Sequence, residues 1–276
     1  MTVTLSGFAD EISPDPAEQL AVLAAESITY LELRSAWSVN VADFSPAQLA
    51  AFRTAIGDAG VAVSAIGSPV GKVAVDAPLA PELERMRRIA ATAAELGATL
   101  VRVFSFYLPA GQPPERYRAR VIDQLGALTR VAEQAGVTVC HEHEKEIYGD
   151  LPGRCADLII SVNSPALRAT FDPANFVQCG VRPFSEAYPL LRPYLVYLQV
   201  KDAVAATGEV TVAGAGDGEV RETLRALRDS GFTGFVSLEP HLDLAGRATG
   251  FSGPAKYRQA VQALKGLLDE LSIGWA

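Results

Sequence analysis

The chain has 276 residues, 49% hydrophobic and 20% charged, enough apolar material for one large α/β domain or two smaller ones. Its net charge of -8 and the absence of any Lys/Arg run exclude a nucleic-acid partner, because phosphate neutralisation needs clustered cations. No basic leader with an apolar stretch opens the sequence, and no segment approaches the roughly 18 apolar residues of a membrane helix, so the expectation is a cytoplasmic protein with no membrane partner.

In chain order, apolar and β-branched runs predict strands over 3–8, 29–34, 61–67, 99–104, 137–142, 168–172, 194–200 and 234–239. Ser13-Pro14 and Ser45-Pro46 read as an N-cap followed by proline at the first helical position. Longer amphipathic helices are expected over 80–96, 113–135, 218–229 and 253–271, with a short Pro-flanked one near 184–191. Gly60, Gly97, Gly136 and Gly231 each stand between a helical run and the next strand, where glycine supplies a left-handed helix stop. Eight such units, with a helix after the last strand, predict a single (β/α)8 TIM barrel spanning residues 1–276. A doubly wound open sheet is the alternative, but the first turn, GFADEIS, lacks the GxGxxG of a dinucleotide-binding sheet. Cys140, Cys155 and Cys179 are too few and too scattered for a disulfide framework or a CxxC metal site, and are expected to be reduced.

Barrel chemistry sits at the C-terminal strand ends, and the last four strands end in VTVCHE, RATFD, YLVYLQVKD and GFVSLE. Glu142, Asp172, Gln199 and Glu239 therefore stand on neighbouring strands about 4.8 Å apart, close enough to converge on one ion. Three carboxylates and an amide oxygen suit Mn2+ or Mg2+, with Co2+ or Zn2+ as alternatives. Strand alternation points Glu142 into the barrel and His141 outward, packed between strand and helix layer, while His143 can reach the pocket from the loop.

With CHEHE, FDPAN, LQVKD, SLEPH, the opening GFADEIS and the loop GAGDGEV, the chain resembles the sugar isomerase and epimerase superfamily of xylose-isomerase-like TIM barrels. That superfamily also includes endonuclease IV, inosose dehydratases and ketose 3-epimerases. The resemblance implies that Glu142, Asp172 and Glu239 are metal ligands. Gln199 stands where the family has a histidine and is kept as an oxygen ligand. Asn175 stands where the family's DxxH histidine would be, which weakens a second metal there and, with only three histidines in the chain, sets the endonuclease reading aside. The implied activity is isomerisation or epimerisation of a sugar-like hydroxyketone through an enediolate, with Glu142 and Glu239 as the catalytic proton carriers. A lyase of the inosose dehydratase kind and a non-catalytic metal- and sugar-binding barrel are the alternatives. Glu11, Arg34, Arg102, His143, Lys145, Tyr148, Asn175, Lys201 and His241 are the candidates to touch substrate. Arg34 or Arg102 could instead neutralise Glu32, and Trp37 and Phe106 are candidates for an apolar wall. The substrate is left open among sugars, cyclitols and glycosides, and the oligomeric state is left open as well.

Overall fold

The computed structural model describes residues 1–243 and 250–276. Its barrel strands are β1 Thr2–Gly7, β2 Tyr30–Leu33, β3 Ala62–Ile66, β4 Leu100–Val103, β5 Thr138–His141, β6 Leu167–Phe171, β7 Leu195–Val200 and β8 Phe235–Leu238, and two short antiparallel pairs, Ser35–Ala36 with Val39–Asn40 and Asp202–Ala203 with Val210–Thr211, lie outside it. Each pairs in parallel with its sequence neighbour from β2 through β8, and β8 pairs with β1. A parallel bridge between Phe8 and Glu32 closes the ring between β1 and β2. A ninth strand of the main sheet, β9 Gly274–Trp275, runs beside the N-terminal half of β1, on the edge away from β8. All eight expected strands are present, and β9 is an addition that the sequence pattern did not announce.

The helices are α1 Pro16–Ala25, α2 Pro46–Asp58, α3 Ala80–Glu95, α4 Arg118–Gln134, α5 Pro152–Val162, α6 Pro173–Gln178, α7 Tyr188–Leu191, α8 Val220–Asp229 and α9 Gly253–Glu270. Ser45 caps α2 in a capping box with Gln48. The cap of α1 differs from expectation: it is Asp15, followed by Pro16, because the chain repeats the cap-proline pair two residues after Ser13-Pro14. A 3-10 turn, Pro114–Tyr117, takes the place of the expected first turn of α4. The short helix α6 was not expected; Asp172 caps it, accepting from Asn175 N–H at 3.2 Å, with Pro173 at its first position. The four helix-stop glycines have φ between 65° and 72°, as their position requires. One apolar cluster runs from Val3 to Ile273 through strands and helices, and among the described residues no helix is long and apolar enough to cross a membrane.

Two-residue periodicity decides what the rim presents. Leu238 is level with Val200, and Gly7 with Leu238, so the residues that follow these strands emerge together at one end of the barrel.

Candidate active site

Glu142, Asp172 and Glu239 follow directly on β5, β6 and β8, and they are 3%, 0% and 2% exposed. One oxygen from each lies within 4.8 Å of the other two. Three cations hold them. Lys201 Nζ is 2.7 Å from Asp172 Oδ2 and 3.1 Å from Glu239 Oε2. Arg102 Nη1 is 3.0 Å from Glu142 Oε2, and Arg34 Nη1 is 3.1 Å from Glu239 Oε1. Asn175 donates to Glu142 Oε1 at 2.9 Å and to the His143 carbonyl at 3.0 Å, which fixes the Glu142 carboxylate from the α6 side.

Gln199 is fully buried on β7, level with Ser237 on β8. It donates from Nε2 to Glu32 Oε1 at 2.9 Å, and Ser237 donates to Glu32 Oε2 at 2.8 Å. Glu32 is thus paired with an amide and a hydroxyl rather than ion-paired to Arg34. Gln199 Oε1 is buried and, among the described residues, has no hydrogen-bond partner.

Six buried or nearly buried acids, Asp10, Glu11, Glu32, Glu142, Asp172 and Glu239, stand around Arg34, Arg102 and Lys201. Burial pushes Glu142 up to about 8, Asp172 up to about 6, Glu32 up to about 7 and Glu11 up to about 8. Burial also raises Glu239, but Lys201, His241 and Arg102 outweigh it and hold that carboxyl well below the usual range. Uncompensated negative charge in a dry site is costly, and a divalent cation is one way to offset it. The donor set of three carboxylates fits a hard cation such as Mg2+ or Mn2+.

The cavity over this cluster is lined by the expected Arg34, Arg102, Glu142, Asn175, Lys201, Glu239 and His241. Glu11 stands behind His241 and accepts from its backbone N–H at 2.8 Å. Neither Glu11, Asp172 nor Gln199 lines the cavity itself, and three further candidates are held elsewhere. His143 is stacked on Phe176 with ring centroids 3.3 Å apart, and its Nε2 is 2.8 Å from the Asp172 carbonyl oxygen. Lys145 donates to Gln178 at 2.8 Å on the exposed side of α6. Tyr148 donates to Asp157 on α5 at 3.4 Å.

His141 points outward as alternation requires, 2.9 Å from Ser105 Oγ, and burial lowers it to about 4, so the ring is neutral. Trp37 packs on Phe44 and Phe52 outside the cavity, and Phe106 is buried without lining it. The rings that support the site are Phe8, with Arg34 and Arg102 at 4.5 and 4.9 Å from its centroid, and Phe104 beneath Lys72 at 4.2 Å. Sequence reasoning missed the Lys72–Glu144 pair, 2.6 Å apart on the cavity wall, and Asn40 beside it. The signal for Lys72 was its place in the loop after β3, a rim position like those after β5 to β8.

The loop GAGDGEV is tied down by Asp202, the last residue of LQVKD. Its carboxylate accepts from Ala203, Gly214, Gly216 and Gly218 N–H at 2.8 to 3.1 Å. A Cβ on Gly216 would lie 2.5 Å from Asp202 Oδ1, so the close approach requires glycine there.

Comparison with known proteins agrees with this architecture. The sequence profile described as xylose isomerase-like TIM barrel matches residues 20–267. A 2-epi-5-epi-valiolone 7-phosphate 2-epimerase from Actinoplanes sp. is 31% identical over 186 residues, 67% of this chain and 67% of that protein. The crystal structure of a D-tagatose 3-epimerase-like protein superposes with a TM-score of 0.78 at 16% identity, covering 99% of this chain and 98% of the other. A xylose isomerase-like TIM barrel protein from Mycobacterium smegmatis, solved in complex with magnesium, gives 0.67 at 21% identity over 91% of this chain and 89% of that one. With a profile match over nine-tenths of its length and a related epimerase above 30% identity, the chain is an enzyme and belongs to the xylose isomerase-like TIM barrel family.

Proposed function

We propose that this enzyme is a divalent-metal-dependent isomerase or epimerase that moves a proton at the carbon beside the carbonyl of a sugar-like hydroxyketone. The observation that carries this reading is the approach of one oxygen each from Glu142, Asp172 and Glu239 to within 4.8 Å of one another, with the unpartnered Gln199 Oε1 as the fourth donor of the proposal. These four residues would hold Mn2+ or Mg2+, with Co2+ or Zn2+ as alternatives. When bound, such an ion supplies electron withdrawal from a carbonyl and its neighbouring hydroxyl, which acidifies the C–H between them.

The chain's own residues do the rest. Glu142 and Glu239 come from β5 and β8, so one can take a proton from a carbon lying between them and the other can return it to the opposite face. Asn175 and Arg102 hold Glu142 in place, while Lys201 and Arg34 hold Glu239. Arg34, Arg102 and Lys201 can also receive the oxygen on which negative charge develops. The similarity to an epimerase at 31% identity supports a reaction of this class.

A lyase reading has one observation in its favour: His241 and Lys201 both line the cavity beside Glu239, where either could protonate a departing β-hydroxyl. Incubating ketoses, inososes and oxidised glycosides with the Mn2+-loaded enzyme in D2O separates the cases. Deuterium appearing at the carbon beside the carbonyl with inversion is expected for an epimerase, and loss of water for a lyase. Glu142→Gln and Glu239→Gln should each lower turnover by more than about 100-fold with the barrel intact by circular dichroism. Near-normal rates in either variant would place the proton carriers elsewhere, and absence of exchange with every substrate class would favour a binding barrel.

A further inference from the structure

Beside the catalytic cavity the rim holds a second hollow, between the turn after β1 and the hairpin after β2. It is lined by Asp10 from the 3-10 turn Ala9–Glu11, by Ser35, Ser38 and Asn40 from the hairpin, and by Arg34 and Gly250. Arg34, Asn40 and Gly250 line the catalytic cavity as well, so the two spaces adjoin. One guanidinium marks the step between them: Arg34 Nη1 is 3.1 Å from Glu239 Oε1, and its Nε donates to Asp10 Oδ2 at 2.8 Å.

The hollow presents polar atoms that the protein leaves unused. Asp10 Oδ2 accepts from Arg34 and, at 2.9 Å, from Ser35 Oγ, while Oδ1 is buried and, among the described residues, has no hydrogen-bond partner. A buried acceptor without a donor is costly, and a ligand hydroxyl would satisfy it. Asn40 Oδ1 accepts from Ala42 N–H at 3.0 Å, which leaves the amide N–H groups of Asn40 as donors to a ligand. The hairpin that carries Ser38 and Asn40 is held in place. Its turn residues Trp37 and Ser38 have φ of 55° and 59°, a strained conformation for residues other than glycine. Trp37 N–H donates to the Pro14 carbonyl, and its ring packs on Phe44 and Phe52, which together enforce that turn.

Charge then selects the ligand. Arg34 is the one cation among the described lining residues, and Asp10, Glu11 and Glu239 already surround it. A phosphate or carboxylate would meet the Asp10 carboxylate with no free cation to receive it. A hydroxyl can donate to Asp10 and accept from Asn40 or Ser38.

We infer that this hollow is a second binding subsite, which takes a neutral, hydroxyl-bearing substituent of the substrate, namely a further sugar unit. The inference rests on the isomerase or epimerase reading for the reacting half of the substrate and deepens it: the preferred substrate is a glycosylated hydroxyketone rather than a free or phosphorylated one.

Calorimetric titration of the Mn2+-loaded enzyme with fructose, its 3-O- and 6-O-glucosides and fructose 6-phosphate compares one ketose bare, with a neutral substituent and with an anionic one. At least one glucoside should bind about tenfold more tightly than fructose and than its phosphate, the gain expected from one or two further hydrogen bonds. Asp10→Asn keeps an oxygen for Arg34 and Ser35, and Asn40→Ser keeps a cap for the Ala42 N–H. Each should cut that preference to about threefold or less. Glucosides that bind no more tightly than fructose, a phosphate that binds more tightly than both glucosides, or a preference that survives both substitutions overturns the inference. Binding is read here without turnover, so the two readings fail separately. A preference that depends on Asp10 and Asn40 without deuterium exchange sustains the subsite and removes the isomerase reading, whereas exchange without any preference removes the subsite alone.

Discussion

Gln199 brings an amide to a position where the resembling family has an imidazole, and Glu32 determines how that amide is presented. By accepting the Gln199 N–H at 2.9 Å, Glu32 leaves Oε1 as the free donor. A hard neutral oxygen in place of a borderline nitrogen should favour Mn2+ and Mg2+ over Zn2+ and Co2+. Gln199→His is therefore expected to raise the ratio of Zn2+ to Mn2+ affinity at the three-carboxylate site in competition titrations. An unchanged ratio would show that Gln199 is not a ligand. A second residue-scale outcome concerns Cys179, whose thiol is pushed by burial, with Asp150 adding to it, from 9.0 up to about 11. A folded value above the ordinary one means the thiol's contribution to stability is complete below about 9 and is lost as pH rises through about 11. Alkylation of native Cys179 by iodoacetamide should consequently be slow at pH 8 and climb toward pH 11, whereas the unfolded chain should react readily near pH 9. Rapid labelling of the native protein at pH 8 would contradict the burial argument. At this scale the inward aim of Glu142 and the outward aim of His141 were legible, because strand alternation alone sets them. Lys72, Glu144 and Phe8 were not, since their approach to the cavity depends on loop paths that have no period.

The strands and their glycine-stopped helices could be read from the sequence almost residue by residue, while the loops that carry the site gave only partial signals. The segment Ser164 to Asp172 illustrates the boundary. The run LRATF predicts a strand, but α6 is too short for apolar periodicity and reveals itself only through its Asp-Pro start. GAGDGEV reads as a loop, yet nothing in its pattern says that Asp202, more than ten residues earlier, gathers its amides. This loop matters because the preceding residue, Lys201, grips both Asp172 and Glu239. Asp202→Ala would strand four backbone N–H groups, and hydrogen bonds to a charged acceptor are worth about 1.5 to 3 kcal/mol each, though water can satisfy part of what is lost. We expect a loss of about 3 kcal/mol or more in urea unfolding, with a raised KM as Lys201 loosens. Asp202→Asn, which keeps one acceptor oxygen, should fall between the two. Wild-type stability in Asp202→Ala would mean that the loop is held by other contacts.

At the scale of the whole molecule, the barrel gathers charge at one end and depends on what offsets it. Six acids stand around three cations in a region that water scarcely reaches, and the same concentration of charge that prepares the site should weaken the unliganded fold. An ion that binds only the folded chain stabilises it by mass action, by about 2.7 kcal/mol at a hundredfold excess over Kd. Unfolding entropy of about 2.1 cal/mol/K per residue gives a chain of 276 residues about 0.6 kcal/mol/K, so that stabilisation corresponds to a rise in Tm of about 5 °C. Thermal unfolding of chelator-treated protein with and without millimolar Mn2+ should show a rise of this size. Mn2+ is the suitable probe because it favours oxygen donors such as the three carboxylates. Glu142→Gln/Asp172→Asn removes two of the three carboxylates, so this variant should begin with a Tm at or above that of the metal-free wild type and gain little from Mn2+. That pairing of outcomes separates a specific ion from general screening, since a salt effect on surface charge would raise both proteins alike. Equal shifts in the two proteins, or none in the wild type, would count against a specific divalent cation at the acidic rim.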